Sequence, residues 1–430
     1  MANNYDVIII GSGPSGLGAA FKLADNLKNK KILLIDKNAV SSGGLRNDCK
    51  QNYTFPVGFA SEYWDKENAD KYLEETKKIL KPTIETRQNI EKYTKRAEKL
   101  GVRLLEIEQA HVGTDNSIKL INDLINDLKN KGVDVFLNTE VLDINENGDK
   151  VDIIAKNHSS EIIDITASKV IIAPGRGGAE FLQNIMDKVG VKYIDNIVDI
   201  GIRVETKIEH YEIVKDYYDP KFYFPNDVRT FCTNSGDAHI VQEKYENYYS
   251  VNGHAFSKER ASNGLVNFAM LKTIKLTEPL ISGYKFANIL GQAAMQLSGG
   301  KPMMQRVGDF RMGKRSKIDT FNKDLYNFEA SLSSCTPGDI TLAMPSKIMR
   351  DIWKSLKMLD TIVPGVLHPS TILYYPEIKT YGNKPSFLNN SFKIKDNIYT
   401  IGDGAGTSRG ITGAWASGIR AAEDVIKSIC

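Results

Sequence analysis

The chain has 430 residues, of which 41% are hydrophobic and 25% are charged, and its formal net charge is +3 at pH 7. This composition excludes a disordered chain and predicts a folded protein of two or three subdomains. The small net charge, with acidic and basic residues interspersed, gives no reason to expect a nucleic acid or a membrane as partner.

Cysteine, histidine and N-terminal patterns exclude several further classes. The four cysteines contain no CxxC pair and the six histidines no HExxH motif, so we expect no metal site. The opening residues, MANNYDVIIIGSG, have no basic segment, and Gly11 interrupts their apolar run. We therefore expect neither a signal peptide nor a transmembrane span, and a cytoplasmic protein.

The first forty residues carry the strongest pattern in the chain. Residues 5–10 are a continuous apolar run, typical of a strand that is buried on both faces. GSGPSG follows at 11–16, then apolar residues at helical spacing, a second apolar run at 32–35, and finally Asp36. Strand, glycine turn, helix, strand and acid in this order predict a dinucleotide-binding unit.

Each part of this unit has a physical task. Gly11 permits the tight turn, Gly13 lets the backbone approach a pyrophosphate, and Gly16 lets the helix lie close to the strand. The helix N-terminus attracts the phosphate charge. Asp36 accepts hydrogen bonds from ribose hydroxyls, which favours FAD or NAD over NADP. The alternative is that the glycines only form a tight turn between strand and helix.

The segment after Asp36 does not continue the strand–helix alternation of a nicotinamide dehydrogenase. Instead we predict a polar loop, two charged helices at 66–80 and 83–100, and a further helix at 117–131. A β-meander follows, with a hairpin turn at Asn147-Gly148, a last hairpin arm at 160–167, and then a separate strand that ends in VIIAPG.

This order resembles the glutathione-reductase-type FAD-binding fold. VIIAPG, at residues 170–175, is similar to the motif of that fold in which the meander returns to the sheet near the cofactor. The resemblance implies FAD as cofactor, with NAD(P)H as a candidate electron source. No second GxGxxG is found between the two ends of the chain, so a dedicated nicotinamide domain is not expected.

A second glycine-rich segment, IGDGAGTSRGITGAWASG, covers residues 401–418. A separate nucleotide unit would need an acid about twenty residues beyond Gly410, where the chain ends, so we expect this segment to complete the N-terminal sheet. The FAD-fold resemblance implies that Gly402 and Asp403 lie near the ribityl chain and pyrophosphate. It also implies that the helix from 410–413 begins beneath the flavin ring, where its amides stabilise negative charge. The alternative is a glycine turn with a capping aspartate.

The middle of the chain reads as short strands, with one helix that ends at Gly299-Gly300. Here the sequence resembles a group of bacterial FAD-dependent dehydrogenases whose substrates are mostly unassigned. The matching words are VDIGIRVE (198–205), RTFC (229–232), VNGH (251–254), NFAML (267–271), QRVGDF (305–310) and the closing glycine pattern (402–423).

We therefore predict an α/β protein with a Rossmann-like FAD-binding domain, made of a parallel sheet plus a β-meander, and an inserted β-rich α+β substrate domain. The FAD domain comprises residues 1–175, with a helical insertion at 61–100, and residues 396–430; the substrate domain comprises 176–395. The residues expected to bind the cofactor are Gly11, Ser12, Gly13, Pro14, Ser15, Gly16, Asp36, Lys37, Gly44, Leu45, Val141, Pro174, Gly175, Gly402, Asp403, Gly410, Ile411, Thr412 and Gly413.

Three residues are candidates for catalysis, each with a structural alternative. His254 is the best acid–base candidate, or else a histidine that is bonded to a turn. Cys232 contacts the flavin or attacks the substrate, or else is a small buried thiol. Arg203 binds a substrate carboxylate, or else forms a structural ion pair. The basic stretch at 305–317 is a solvated loop, or else binds an anion.

The leading hypothesis is an FAD-dependent oxidoreductase that acts on a small organic substrate. An FAD-dependent monooxygenase is the alternative, although GDGAG stands here where aromatic hydroxylases have GDAAH. A non-redox regulatory or RNA-modification protein is a third hypothesis, against which the lack of a strong basic patch in the sequence counts. The oligomeric state is not predicted.

Overall fold

The computed structural model describes residues 3–41, 43–276, 282–322 and 328–430. The chain divides into two compact units. Unit 1 comprises Met1–Ile84, Ile107–Asn196 and Tyr381–Cys430, and unit 2 comprises Glu85–Glu106 and Ile197–Thr380. The sequence analysis placed the corresponding boundaries at 175/176 and 395/396. The helical insertion predicted at 61–100 is divided between the units, because its second half belongs to unit 2.

The strands are β1 Asn3–Ile10, β2 Ile32–Ile35, β3 Lys50–Asn52, β4 Arg103–Leu105, β5 Gln109–His111, β6 Asp134–Phe136, β7 Glu140–Asn147, β8 Lys150–Lys156, β9 Ile162–Ile172, β10 Tyr193–Asp195, β11 Val198–Lys207, β12 Lys221–Tyr223, β13 Val228–Asn234, β14 Ala238–Lys244, β15 Tyr249–Ala255, β16 Leu265–Ile274, β17 Met303–Arg306, β18 Thr336–Pro337, β19 Ile372–Thr380, β20 Asn383–Pro385, β21 Lys393–Lys395 and β22 Ile398–Thr400.

The α-helices are α1 Pro14–Asn26, α2 Gly44–Asn47, α3 Lys66–Leu80, α4 Glu91–Lys99, α5 Thr114–Asn130, α6 Ala179–Lys188, α7 Ile213–Asp216, α8 Gly283–Ser298, α9 Val307–Arg311, α10 Ile318–Asn322, α11 Ser346–Ile362 and α12 Gly410–Ile429. Short 3-10 turns follow β9, β11 and β22, and another lies at Ile340–Leu342.

The main sheet of unit 1 has the strand order β21-β22-β9-β1-β2-β6, with β7 and β8 attached through β9. The neighbours from β22 to β6 are parallel. Their registers align the carboxyl ends of four strands, because Ile10 pairs with Ile35 and Ile172, and Ile172 pairs with Thr400. This is the α/β, Rossmann-like architecture that the sequence predicted, and the last strand of the chain lies within it.

The apolar runs of this sheet are buried on both faces, as parallel strands require. Val7 and Ile9 belong to the core beneath α1, α5 and α12, whereas Ile8 and Ile10 belong to a core that includes residues of the meander. Alternate residues of one strand point to opposite faces, so β1 contributes to both cores.

Two local predictions differ from the structure. The last meander arm and the VIIAPG strand are one continuous strand, β9, which pairs antiparallel with β8 and parallel with β1. The second charged helix begins at Glu91 instead of residue 83, because Ile84 forms a β-bridge with Ala110 and Asn89 has a φ of 52°. Charged residues at helical spacing did not reveal this extended stretch.

Helices α1 and α12 pack backbone against backbone. A Cβ added at Gly18 would lie 2.4 Å from the carbonyl oxygen of Trp415, and one at Gly418 would lie 2.0 Å from that of Ser15. The rings of Phe21 and Trp415 stack with centroids 5.8 Å apart. The first and last helices therefore form one layer on the sheet, and a methyl group at either glycine would separate them.

The main sheet of unit 2 has the order β18-β17-β19-β11-β16-β13-β12-β4. Its pairings are antiparallel apart from β17 with β18. The hairpin β14–β15 and helices α8 and α11 pack on it. In the described parts of both units, no helix is long and apolar enough to cross a membrane.

Candidate dinucleotide site

Three loops leave the same edge of the unit 1 sheet. The N–H of Gly11 donates to the carbonyl of Ile35 at 2.8 Å, and that of Ala173 donates to Ile10 at 2.7 Å. The N–H of Ile401 donates to Ile172 at 2.9 Å. The glycine turn, the Pro-Gly turn and the closing GDGAG loop are therefore neighbours at the carboxyl ends of the strands, where ligands of open α/β sheets bind.

Of the three glycines in the turn at 11–16, only one has open space where a side chain would begin. A Cβ added at Gly11 would lie 2.2 Å from the carbonyl oxygen of Ala173, and one at Gly16 would lie 1.8 Å from that of Gly11. A Cβ at Gly13 would meet nothing within 4 Å. Gly13 is also the N-cap of α1, and no side chain caps the helix there. The helix N-terminus thus faces an open space in which an anion fits.

Asp36 lies beside this turn, but its carboxylate is already engaged. Oδ2 accepts from the N–H and the hydroxyl of Ser12, both at 2.7 Å. Oδ1 accepts from the N–H of Asn38 at 2.8 Å and from its side-chain amide at 3.2 Å. A ribose hydroxyl that binds Asp36 would therefore replace the longest of these bonds, that from the Asn38 amide.

The remaining predicted residues of the N-terminal half are placed as follows. Lys37 and Gly44 are exposed, Gly175 is half-buried, and Leu45 and Val141 lie in the two hydrophobic cores. The side chains of the last two residues face other apolar groups, so only their backbones are available to a cofactor.

The closing loop packs directly on the first turn. A Cβ added at Gly402 would lie 2.5 Å from the hydroxyl oxygen of Ser15, and one at Gly404 would lie 2.2 Å from the carbonyl oxygen of Gly175. Pro174 is half-buried at the same junction, and its Cγ atom would lie 3.0 Å from a Cβ added at Gly404. The three loops thus share one small volume.

Asp403 is the electrostatic centre of this junction. Its Oδ2 accepts a bond of 3.3 Å from the N–H of Gly410, whereas its Oδ1 is buried and has no hydrogen-bond partner. Burial raises the pKa of Asp403, although Arg176, the Gly410 bond and Arg409 act in the opposite direction. A buried acceptor without a donor is costly, and a ligand hydroxyl would satisfy it. This site therefore fits the ribityl chain of FAD.

The start of α12 is held by the loop that follows β3. The N–H of Arg409 donates to the carbonyl of Gly58 at 2.8 Å, and the Thr412 hydroxyl donates to the carbonyl of Asn52. Ile411 is 5% exposed and Thr412 is 2% exposed. A cofactor at this end meets the backbone amides, because these side chains point into the protein.

Two cations near Asp403, one after the Pro-Gly turn and one in the closing loop, were not predicted from the sequence. Arg176 lies near enough to act on the Asp403 carboxyl, and Arg409 places its guanidinium 4.2 Å from the centroid of the Tyr381 ring. Arginine directly before the first helical glycine is the signal that was overlooked, since a cation there adds to the positive end of the helix dipole.

A separate cavity of unit 1 lies away from these turns. Its volume is about 910 Å³, and it is lined by Glu62, Tyr63, Met186, Asp187, Gly190, Val191, Lys192, Tyr193, Ile194, Lys384, Pro385 and Ser386. None of these residues belongs to the glycine turns. We give more weight to the turns, because they combine open space, helix N-termini and an unsatisfied carboxyl oxygen.

Arg203, in unit 2, is completely buried in a polar cluster. It forms a bidentate pair with Glu377, with both N–O distances at 2.7 Å. Its remaining donors reach the side chains of Asn267 at 2.8 Å and Asn252 at 3.3 Å, and the carbonyl of Cys232 at 3.2 Å. All five N–H groups are thus engaged within the protein. This arrangement supports the structural ion pair over the binding of a substrate carboxylate.

Four of the six sequence segments that resemble FAD-dependent dehydrogenases contribute residues to this cluster. VDIGIRVE supplies Arg203, RTFC supplies the Cys232 carbonyl, and NFAML supplies Asn267. VNGH supplies Asn252 and Gly253, and a Cβ added at Gly253 would lie 2.2 Å from an Arg203 nitrogen. These segments are distant in sequence, and they meet around the buried guanidinium group of Arg203.

Cys232 lies at an irregularity of β13, where its pairing with β16 shifts register. Its φ is 47°, its side chain is half-buried, and it is not in a disulfide. Positive φ at a non-glycine residue is a strained conformation that is often found at functional sites. The structure therefore leaves its catalytic role as a prediction.

His254 faces His239 across the β14–β15 hairpin, with ring centroids 5.9 Å apart. His239 was not selected from the sequence, yet its Nε2 lies 2.7 Å from Oδ1 of Asp237. Phe256 packs against both rings. The hairpin thus presents an Asp–His pair beside the predicted acid–base residue. Among the described residues, no group of three or more acidic, cysteine or histidine side chains could hold a metal ion.

Comparison with known proteins agrees with the geometry of the first unit. Residues 9–75 match the family model described as an NAD(P)-binding Rossmann-like domain. This match covers the end of β1, the glycine turn, α1 and β2, which build the N-terminal part of the site.

Two relatives and one solved structure are similar to larger parts of the chain. An uncharacterized protein of Clostridium beijerinckii is 24% identical over 348 residues, which are 74% of this chain and 62% of that protein. The NADH:fumarate oxidoreductase of Klebsiella pneumoniae is 25% identical over 194 residues, or 40% of this chain and 20% of that enzyme. The p-nitrophenol 4-monooxygenase PnpA of Pseudomonas putida DLL-E4 is 11% identical with a TM-score of 0.45, over 100% of this chain and 82% of PnpA. The chain thus spans less than two thirds of the length of both relatives.

Proposed function

We propose that the protein is an FAD-dependent oxidoreductase that transfers a hydride between the flavin and a small organic substrate. The observation that carries this proposal is the meeting of both glycine-rich segments at one sheet edge, where the buried Oδ1 of Asp403 has no partner. The similarity of part of the chain to an oxidoreductase supports the same class of reaction.

FAD is preferred to NAD because two features extend the site beyond an ordinary dinucleotide turn. The meander β7–β8–β9 stands where a nicotinamide dehydrogenase would continue its strand–helix alternation. The closing loop adds a carboxyl group and a second helix N-terminus, that of α12, to the same edge. These additions suit a cofactor with a polyhydroxylated chain and a ring that becomes negatively charged.

The chain's own residues have separable tasks in this proposal. The amides at the start of α1 bind the pyrophosphate, with Gly13 leaving room for it. Asp403 accepts a hydrogen bond from a ribityl hydroxyl. The N-terminus of α12 stabilises negative charge on the ring, and Arg409 adds a positive charge beside it. FAD, when bound, supplies the two-electron chemistry that no side chain here provides.

In unit 2, His254 stays the candidate acid–base residue, and His239 lies beside it on the same hairpin. The hydrogen bond to Asp237 orients His239. A nicotinamide is the proposed electron source.

Anaerobic spectroscopy tests the proposal. The purified protein should show flavin absorbance, lose it on addition of NADH or NADPH without oxygen, and regain it with an organic acceptor. A protein that takes up no FAD would exclude the proposal. Reduction followed by rapid oxygen consumption and a hydroxylated product would establish a monooxygenase instead.

A further inference from the structure

Unit 2 carries a strongly basic surface that is formed by two adjacent segments. The first is the loop after α9, and the second is the exposed side of α11. The cations of this surface are Arg311, Lys314, Arg315, Lys317, Arg350, Lys354 and Lys357, all of them exposed. We call it the basic surface.

Contacts within unit 2 bring the two segments together. The rings of Phe310 and Trp353 lie 4.6 Å apart, which places α9 against α11. The N–H of Ser316 donates to the carbonyl of Gly338 at 3.0 Å, which joins the loop after α9 to the segment that leads into α11. The cations of α11 recur at intervals of three and four residues, so they share one face of the helix.

The charges of the basic surface are not neutralised within the described part of the chain. None of its cations forms a salt bridge with a described acidic residue, whereas the nearby Lys347 pairs with Asp351 at 2.9 Å. Of the acids on these segments, Asp309 accepts a bond from Ser316, Asp339 accepts bonds from Thr341, and Asp351 is buried. Asp319 is exposed and forms no salt bridge with the cations of this surface. The overall charge of +3 does not reveal this surface. The sequence does not reveal it either, because the two basic segments are about thirty residues apart.

Large apolar side chains are exposed in the same stretches of sequence. Met312, directly after α9, is 68% exposed, and Ile318, at the start of α10, is 64% exposed. Leu342, in the segment that leads into α11, is 72% exposed. Exposed aliphatic groups of this size have no counterpart in a nucleic acid, whose recognition uses phosphate contacts and base stacking. They do suit the boundary between headgroups and acyl chains of a bilayer.

We propose that the basic surface docks the protein on an anionic membrane, with lipid headgroups held by the cations and the apolar side chains inserted between them. Each exposed cation near such a surface adds to the attraction, and the apolar groups make binding partly resistant to salt. This proposal departs from the expectation of no membrane partner, which rested on the overall charge.

Vesicle co-sedimentation tests the proposal. The FAD-loaded protein is mixed with vesicles of phosphatidylcholine alone or of phosphatidylcholine with phosphatidylglycerol. It should bind the anionic vesicles and not the neutral ones. The triple substitution Arg350→Gln, Lys354→Gln, Lys357→Gln should lower the partition coefficient about a hundredfold, since each cation contributes about fivefold.

A matched control removes the same number of exposed lysines from unit 1, namely Lys28→Gln, Lys119→Gln and Lys129→Gln. This variant should bind anionic vesicles nearly as well as the unaltered protein. Equal losses in both triple variants, or no binding of the unaltered protein to anionic vesicles, would overturn the proposal.

A second variant separates a membrane from other polyanions. Met312→Ser with Leu342→Ser should abolish the fraction of vesicle binding that survives high salt, while leaving low-salt binding largely intact. A single-stranded DNA oligonucleotide is the competing probe. Binding of the oligonucleotide but not of anionic vesicles, with sensitivity to the α11 triple variant, would replace the membrane by a nucleic acid and overturn the inference.

Discussion

Replacing Asp403 by asparagine should make the protein without FAD more stable and should weaken its hold on FAD. The side chain keeps its shape and its acceptor for the N–H of Gly410. What it loses is the negative charge on a buried oxygen that has no donor in the protein. A residue that serves only to cap the turn would behave differently, because its loss would lower stability and FAD affinity together.

The structure sets the size and the pH dependence of this effect. Removing a buried, unsatisfied charged oxygen should stabilise the FAD-free protein by about 1 kcal/mol, a value kept low by the nearby Arg176 and Arg409. Burial raises the pKa of Asp403, so the folded state disfavours ionisation, and this cost is present at neutral pH. The advantage of the variant should therefore vanish as the pH falls below the ordinary aspartate value of about 4.

The affinity should change in the opposite direction. A hydrogen bond to a charged acceptor contributes about 1.5–3 kcal/mol, so the variant should bind FAD about ten- to a hundredfold more weakly. Flavin fluorescence titration of the FAD-free protein measures the affinity, and urea unfolding at neutral and acidic pH measures the stability. An unchanged FAD dissociation constant, or a loss of stability at neutral pH, would refute the reasoning.

Three further sets of substitutions test separate parts of the structure. Gly13→Ala should leave stability unchanged, because its methyl group meets open space, but should lower FAD affinity about tenfold. Gly16→Ala should destabilise the fold by about 3 kcal/mol, because its methyl group would lie 1.8 Å from the backbone. Thermal unfolding and flavin titration distinguish the two variants. Arg203→Met should cost about 3–5 kcal/mol in urea unfolding, because it leaves the buried Glu377 carboxylate with only the longer ion pair to Lys379 at 3.6 Å, and adding Glu377→Leu should recover part of this loss. Burial lowers the pKa of His368, so folding favours its neutral form; His368→Gln should reduce the loss of stability between about pH 7 and pH 5 in chemical unfolding.

The sequence predicted the elements of the first unit because their patterns are local. A buried strand, a glycine turn, a helix and an acid follow one another within the first 36 residues, and each leaves its own spacing. The fold class is confirmed, and so is the place of the closing glycine segment beside β9. The division of β9 into two strands was wrong, because Ser168 and Lys169 lie inside one strand that pairs antiparallel with β8 and parallel with β1.

The sequence predicted the parts of the site that are formed by glycine turns. It did not predict the hydrogen-bond and ion-pair partners of the polar side chains. The spacing of residues could not show that Ser12 and Asn38 already donate hydrogen bonds to the Asp36 carboxylate. Nor could it show that the Oδ1 atom of Asp403 has no hydrogen-bond partner. In unit 2, the sequence left open whether Arg203 binds a substrate carboxylate or forms a structural ion pair. Its partner Glu377 lies 174 residues away, and only the register of β11 with β19 brings the two together.

The packing of β22 and α12 on the N-terminal unit has a consequence for synthesis. Thr412 bonds to Asn52 across 360 residues of sequence, which a ribosome needs roughly 20 to 70 s to translate. Until β22 is translated, β9 lacks this second parallel neighbour, and the edge of the sheet lacks the closing loop. If the proposed function is correct, FAD would therefore bind only after the closing helix has completed the site.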